Sequence, residues 1–300
     1  MISQTNATKL IKIYDYVCEK YEKTLQYEVE RFSNNSLPEF TDQEVMTIYL
    51  FSVCWEKRFK IKDMYDFTKN YWYDWFPKLP SYAAFCARLN RMSGAFKGLV
   101  SELLHTHKPD NMSHWISLTD ALPVITCSGK RQAKVAPELT DKTKNPSKGI
   151  WYYGMKIHVV GFQVENQMPH PECIILSKAS ENDLILLKEN HAFIQNRAIF
   201  ADKAYCDKPF AQTMKTKNNT HMITPVKAVK GQPDALKFFD KAADDLYATA
   251  VAKVRQPIES LFAWLIEKTD IQRASKVRST NGLLVHTFGK IAAAFIYLIF

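Results

Sequence analysis

The 300-residue sequence has no CxxC pair; its six cysteines (Cys18, Cys54, Cys86, Cys127, Cys173 and Cys206) are scattered. That excludes a zinc site of paired thiolates and a disulfide framework, and predicts reduced, mostly buried, small apolar side chains. The start, MISQTNATKLIKIYDYV, lacks a basic region followed by an apolar core and a small-residue cleavage site, and the tail IAAAFIYLIF is far shorter than a spanning helix. A cytosolic protein is the expectation. No internal repeat or low-complexity segment is present, and 46% apolar residues suffice for a sizeable core, with two domains as the prior for this length. Acid is the scarcer charge: 31 Asp and Glu face 40 Lys and Arg, a formal +9. Such an excess favours a polyanionic partner through phosphate contacts and counterion release. It is local, because residues 1 to 40 are nearly balanced while 127 to 150 (Lys130, Arg131, Lys134, Lys142, Lys144, Lys148) and 253 to 290 are basic.

Up to about residue 110 apolar residues recur every three or four positions, in LIKIYDYVCEKYEKTL and EVMTIYLFSVCWEKRF, which predicts helices. Thr41 and Glu44 form a capping-box pair, and Ser81 is placed to cap SYAAFCARLNRMSGAF. The segments IKDMYDFTKNY and SYAAFCARLNR resemble a helix-turn-helix whose second helix carries Arg88, Asn90 and Arg91. An ordinary bundle with solvated basic residues fits equally well. HTHKPDNMSHW reads as the linker between a region 1–111 and a region 112–300.

Beyond it the period changes to that of strands in WISLTDALPVITC, WYYGMKIHVVGFQVE and PECIILSKA. A helix at ENDLILLKENHAFI, a strand at RAIFA, a helix at DKPFAQTMKTK, a strand at HMITPVKA and long helices from about Asp234 follow. Three strands and then alternation predict an α/β mixed sheet with flanking helices, preceded by an all-helical region.

Three acids stand at joints of this pattern. Asp120 lies in or at the end of a central, buried strand, where a carboxylate is costly unless paired or metal-bound; the competing reading is a turn aspartate before Pro123. Asp202 closes RAIFAD, and because Asp207 is the better helix cap, Asp202 is free for another task at the carboxyl end of a strand. Glu259, just after Pro257, falls in the first turn of a helix striped by Ile258, Leu261, Phe262 and Leu265, where compensation of the helix dipole is the competing reading. Lys156 and His158 share one face of a strand by period two, Lys203 and Tyr205 follow Asp202, and Arg273, Lys276 and Arg278 cluster after the last acid.

The combination SLTDALPVITC, WYYGMKIHVVG, IFADKAYC and VRQPIESLFAWLIEKTDIQRASKVRSTNGLLVHTFGKIAAAF resembles the ribonuclease H-like catalytic core of bacterial insertion-sequence transposases of the DDE type. The resemblance implies that Asp120, Asp202 and Glu259 are the catalytic and metal-binding acids, holding two magnesium ions, for which manganese substitutes. It implies cleavage at element ends and strand transfer into target DNA. The partner would be double-stranded DNA, both terminal inverted repeats and target, bound by a homodimer or higher assembly in the bacterial cytoplasm. Basic residues expected on that DNA are Arg88, Arg91, Arg131, Lys156, His158, Lys203, Arg255, Arg273, Lys276 and Arg278. In some relatives a Tyr, Arg, Glu and Lys surround the last acid at fixed spacing; Arg255 and Glu259 match, while Ala252 and Ile266 replace the Tyr and Lys, with Lys268 nearby. A transposase-derived DNA-binding protein without catalysis, and a metal-dependent nuclease that cuts without joining, are the alternatives.

Overall fold

A computed structural model describes residues 3–29, 38–130, 134–145, 149–226 and 233–300, with the backbone alone at 234–237 and 239. Arg131 and Lys148, and the end of the HMITPVKA strand, lie outside the described residues.

Among the described residues, five α-helices come first. Helix α1 (Gln4–Lys23) starts where Ser3 accepts from the Asn6 N–H and buries Leu10, Ile13 and Val17. Helix α2 (Asp42–Cys54) opens on the complete Thr41–Glu44 capping box and is buried almost all round, which makes it the axis of the helical layer. Around it lie α3 (Ile61–Tyr71), α4 (Tyr82–Arg91), capped by Ser81, and α5 (Ser93–Thr106).

The sheet follows, as β1 (Met112–Ser128), β2 (Asp141–Lys144), β3 (Trp151–Val164) and β4 (His170–Lys178). Next come α6 (Asp183–Glu189), β5 (Ala198–Phe200), α7 (Lys208–Asn218), β6 (His221–Ile223) and α8 (Asp234–Thr269). Strand β1 is central. It pairs antiparallel with β3, which carries β2 and β4 along its other edge, and parallel with β5, which pairs parallel with β6. This is a six-stranded mixed sheet with flanking helices, preceded by helices, as the α/β expectation had it. The short strand β2, which no apolar run announces, is an addition to the expected set.

Both faces are covered. On one, Leu118, Leu122 and Val124 pack with Ile258, Leu261, Phe262 and Leu265 of α8, and each of these buried apolar side chains stabilises the fold by roughly 1.5–3 kcal/mol. On the other, Val160, Ile199 and Ala201 pack with Leu187, Phe210 and Met214 from α6 and α7.

The chain ends in α9 (Thr280–Leu284), a π turn (Val285–Gly289) and α10 (Lys290–Ile299). By length and composition Thr280–Ile299 is one helix able to cross a membrane, longer than the tail alone suggested. Its position is that of a core helix. The Cys54 thiol donates to the Ala293 carbonyl at 2.8 Å, and a Cβ on Gly289 would stand 2.6 Å from the Tyr49 ring, so only glycine permits this approach of α10 to α2. The apolar core therefore runs without interruption from Leu10 to Ile296. Helix α5 ends at Thr106 and strand β1 begins at Met112, and side chains from both parts contribute to that core.

Candidate active site

Strand pairing sets the first two acids. Leu118 of β1 and Phe200 of β5 are partners in parallel register, and each acid follows its own partner residue by two positions: Asp120 in β1 and Asp202 just past β5. Asp202 thus emerges at the carboxyl end of β5, where open sheets place their ligands, and Asp120 lies beside it in the middle of β1, just past the stretch paired with β5. Asp120 lies inside the strand, opposite Val159, and Pro123 continues the ladder opposite Lys156. The turn reading is thereby removed.

Asp120 sits on the α8 face, between Leu118 and Leu122. Its Oδ1 accepts the N–H of Ala121 at 2.8 Å and its Oδ2 accepts Nη2 of Arg255 at 2.7 Å. Burial pushes its carboxyl above the usual range, the charge of Asp202 pushes the same way, and Arg255 and the Ala121 N–H pull it down. Asp202 is a cap after all: its Oδ1 accepts the N–H of Ala204 at 2.7 Å and opens a single 3-10 turn over Lys203–Tyr205, while Asp207 caps α7. The phenol of Tyr205, 1% exposed, touches Thr119, and burial raises its pKa well above the usual value, helped by the charges of Asp183, Asp120 and Asp202. Tyr205 is thus core beneath the acids and no phosphate contact.

Glu259 is not in a first helical turn. Helix α8 runs through Pro257 without a break in assignment. Tertiary packing overrides the proline: Val251 and Arg255 are buried before it and Ile258 after it. Arg255 and Glu259 consequently share one helix, with Nη2 of Arg255 3.6 Å from Oε1 of Glu259. The side chain of Glu259 is 63% exposed but stands on the Arg255 side of α8. Dipole compensation has no place this far along the helix.

Among the described residues no three acids or other ligating side chains stand close enough to form a preassembled metal cluster. Glu259 reaches Asp120 only through Arg255. The donor chemistry of the three carboxylates nevertheless fits a hard divalent cation, and the guanidinium between Asp120 and Glu259 shows that the place accepts positive charge.

The other expected site residues divide by exposure. Arg91, Lys203, Arg273, Lys276 and Arg278 are exposed, as is Lys130. Arg273, Lys276 and Arg278 project from the segment after α8, which the Ile125 backbone holds through bonds to Gln272 and Ala274 at 2.8 and 2.9 Å. Arg88 is a correction. It pairs at 2.8 Å with Asp42, whose side chain is 1% exposed, and it also donates to the Phe40 carbonyl, so it holds α4 to the start of α2. His158 is another correction, because it is buried under α6 and bonded to Ser177 at 2.7 Å, with its pKa lowered to about 4 by burial. Lys156 shares that face and is held by Asp183 at 2.6 Å and by the Glu181 carbonyl. Ile266 packs on the core, and Lys268 lies over the Tyr297 ring.

Sequence reasoning missed the buried Arg197, which binds Ser117 and Glu172 at 3.0 and 2.9 Å and stacks on Phe162. No local signal marks it, since its partners come from β1, β3 and β4.

Among curated proteins the chain has no match. Solved structures similar to it include a Mos1 transposase paired-end complex with left transposon end, with 14% identity over 83% of this chain and 86% of that one and a TM-score of 0.22. A pre-cleavage Mos1 transpososome shares 12% identity over 88% and 98% of the two chains, with a TM-score of 0.21. A Mos1 mariner paired-end complex with Mn shares 13% identity over 83% and 86%, with a TM-score of 0.21. Residues 112–296, from the first residue of β1 to within α10, match the family model described as the transposase DDE domain. They contain Asp120, Asp202 and Glu259 in that order, and the chain belongs to this transposase family.

Proposed function

We propose that this transposase cleaves DNA at the ends of an insertion sequence and transfers the freed 3′ hydroxyl to target DNA, with Asp120, Asp202 and Glu259 as the metal-holding acids. The observation that carries the reading is the Leu118–Phe200 register, which sets Asp120 and Asp202 side by side next to the helix bearing Glu259. Asp120, Asp202 and Glu259 would hold divalent cations, which would supply positive charge to stabilise the phosphodiester displacement. The protein's own part is to aim carboxylates. The Ala121 N–H fixes Asp120, the Ala204 N–H fixes Asp202, and Glu259 projects from a helix anchored by three buried residues around it.

Magnesium is the proposed physiological ion, since an all-carboxylate set that keeps waters and borrows phosphate oxygens suits it, and manganese would substitute. Lys203, Arg273, Lys276 and Arg278 are the proposed phosphate contacts, and Arg91 a contact at the terminal repeats. The working form would be a dimer or higher assembly on DNA in the bacterial cytoplasm.

The test is a strand-transfer assay. DNA carrying the inverted repeats that flank the gene should be cut in magnesium, and precleaved ends should be joined to plasmid DNA. Cutting without joining would leave a nuclease, and neither reaction in magnesium or manganese would overturn the reading.

A further inference from the structure

The side chain between Asp120 and Glu259 is a cation supplied by the chain itself. Arg255 is 10% exposed; its Nη2 donates to Asp120 Oδ2 at 2.7 Å and lies 3.6 Å from Glu259 Oε1. The charge of Asp202 is felt at the same Asp120 carboxyl. The grip is incomplete, because Arg255 Nε has no acceptor among the described residues and the other oxygen of Asp120 belongs to the Ala121 N–H. A guanidinium that paired bidentately with one carboxylate would be hard to displace. This one makes a single short bond to one acid and a longer contact to another.

We propose that Arg255 is an internal counter-ion that holds Asp120 and Glu259 together before metal binds and gives up Asp120 to the incoming divalent cation. The inference rests on the metal-dependent reading above. Asp120 is largely buried and feels the charge of Asp202, so without a cation beside it the carboxylate would swing away or take up a proton. Arg255 supplies one positive charge against the two carboxylates it touches, which leaves them short of neutral and still attractive to a divalent ion. Because α8 carries both Arg255 and Glu259 one turn apart, the guanidinium leaving Asp120 stays beside Glu259. Arg255 is thus a positioning residue: it acts on metal uptake through the acids.

The test uses the full chain without DNA, titrated with Mn2+ and followed by the spin resonance of free Mn2+, with circular dichroism to confirm folding. Arg255→Gln should bind Mn2+ at least about tenfold more tightly than the unaltered chain, since a competing unit charge a few ångströms away is gone. Its Tm should be lower in chelator and rise more on adding Mn2+. Arg255→Lys, which keeps the charge but loses the planar fork, should fall between the two. Equal or weaker Mn2+ affinity in a folded Arg255→Gln chain would overturn the counter-ion role while leaving the metal site intact. Should Arg255→Gln not fold, Arg255→Lys decides alone by the same criterion. Absence of binding by every chain would instead remove the metal-dependent reading itself, and tight binding that survives Asp120→Asn would place the metal elsewhere.

Discussion

The backbone N–H of Ala274 donates to the carbonyl of Ile125 at 2.9 Å, tying the basic segment after α8 to β1 five residues beyond Asp120. Arg273, Lys276 and Arg278 are thereby held against the strand that carries Asp120. Neutralising all three should weaken binding to every DNA sequence alike and flatten the salt dependence by up to about three units of log-log slope, roughly one for each phosphate that no longer meets a cation. Binding isotherms across a salt series check this, and an unchanged slope would take the segment off the DNA.

Alanine at Asp120, Asp202 or Glu259 should reduce cleavage by at least about a hundredfold, the effect typical when a group acting on the transition state is removed. DNA binding should hold or tighten slightly, because one negative charge facing phosphate has gone. Undiminished cleavage by Asp202→Ala in magnesium would contradict the proposed mechanism.

Arg88 and Arg91 sit one turn apart on α4 and should behave differently. Removing the Arg88 guanidinium leaves a nearly buried Asp42, so Arg88→Ala should cost about 3 kcal/mol or more of stability. Arg91→Ala, at an exposed position, should change stability by no more than about 0.5 kcal/mol. If Arg91 reads bases, its removal lowers the preference for terminal repeats over random DNA. Urea denaturation and competition binding separate the two effects.

Two buried imidazoles make the fold sensitive to acid. Burial lowers His158 from 6.5 to about 4, and burial together with Lys290 lowers His286 to about 3. Each is neutral in the folded chain and protonates first in the unfolded one, so stability is undiminished above pH 6.5 and falls as the pH drops below it. At pH 5 each should cost about 2 kcal/mol relative to pH 7. In His286→Gln the difference between urea curves at pH 7 and pH 5 should shrink by about that amount; an unchanged difference would show that His286 is protonated in the fold.

Much of the architecture was legible because it is local. The capping box at Thr41 and Glu44 and the cap at Ser81 appear where the residue types put them, since a cap needs only a side-chain oxygen and an N–H three residues on. Pro257 misled for the complementary reason. Propensity ends a helix there, but Val251, Arg255 and Ile258 are buried on either side, and their packing carries α8 through it. Arg88 and His158 looked like contacts for DNA because charge shows in a sequence and a buried partner does not; Asp42 and Ser177 were in view as residues but not as neighbours.

The sequence by itself determined the order of elements, the basic excess and the three acids with their family, because periodicity, composition and motif spacing are properties of the chain. Only the tertiary structure decided what lies between the acids. The register of Leu118 against Phe200 places Asp120 beside Asp202, and the path of α8 inserts the Arg255 guanidinium between Asp120 and Glu259. Those contacts join residues far apart in the chain, and their energies depend on burial and distance, which no local pattern encodes.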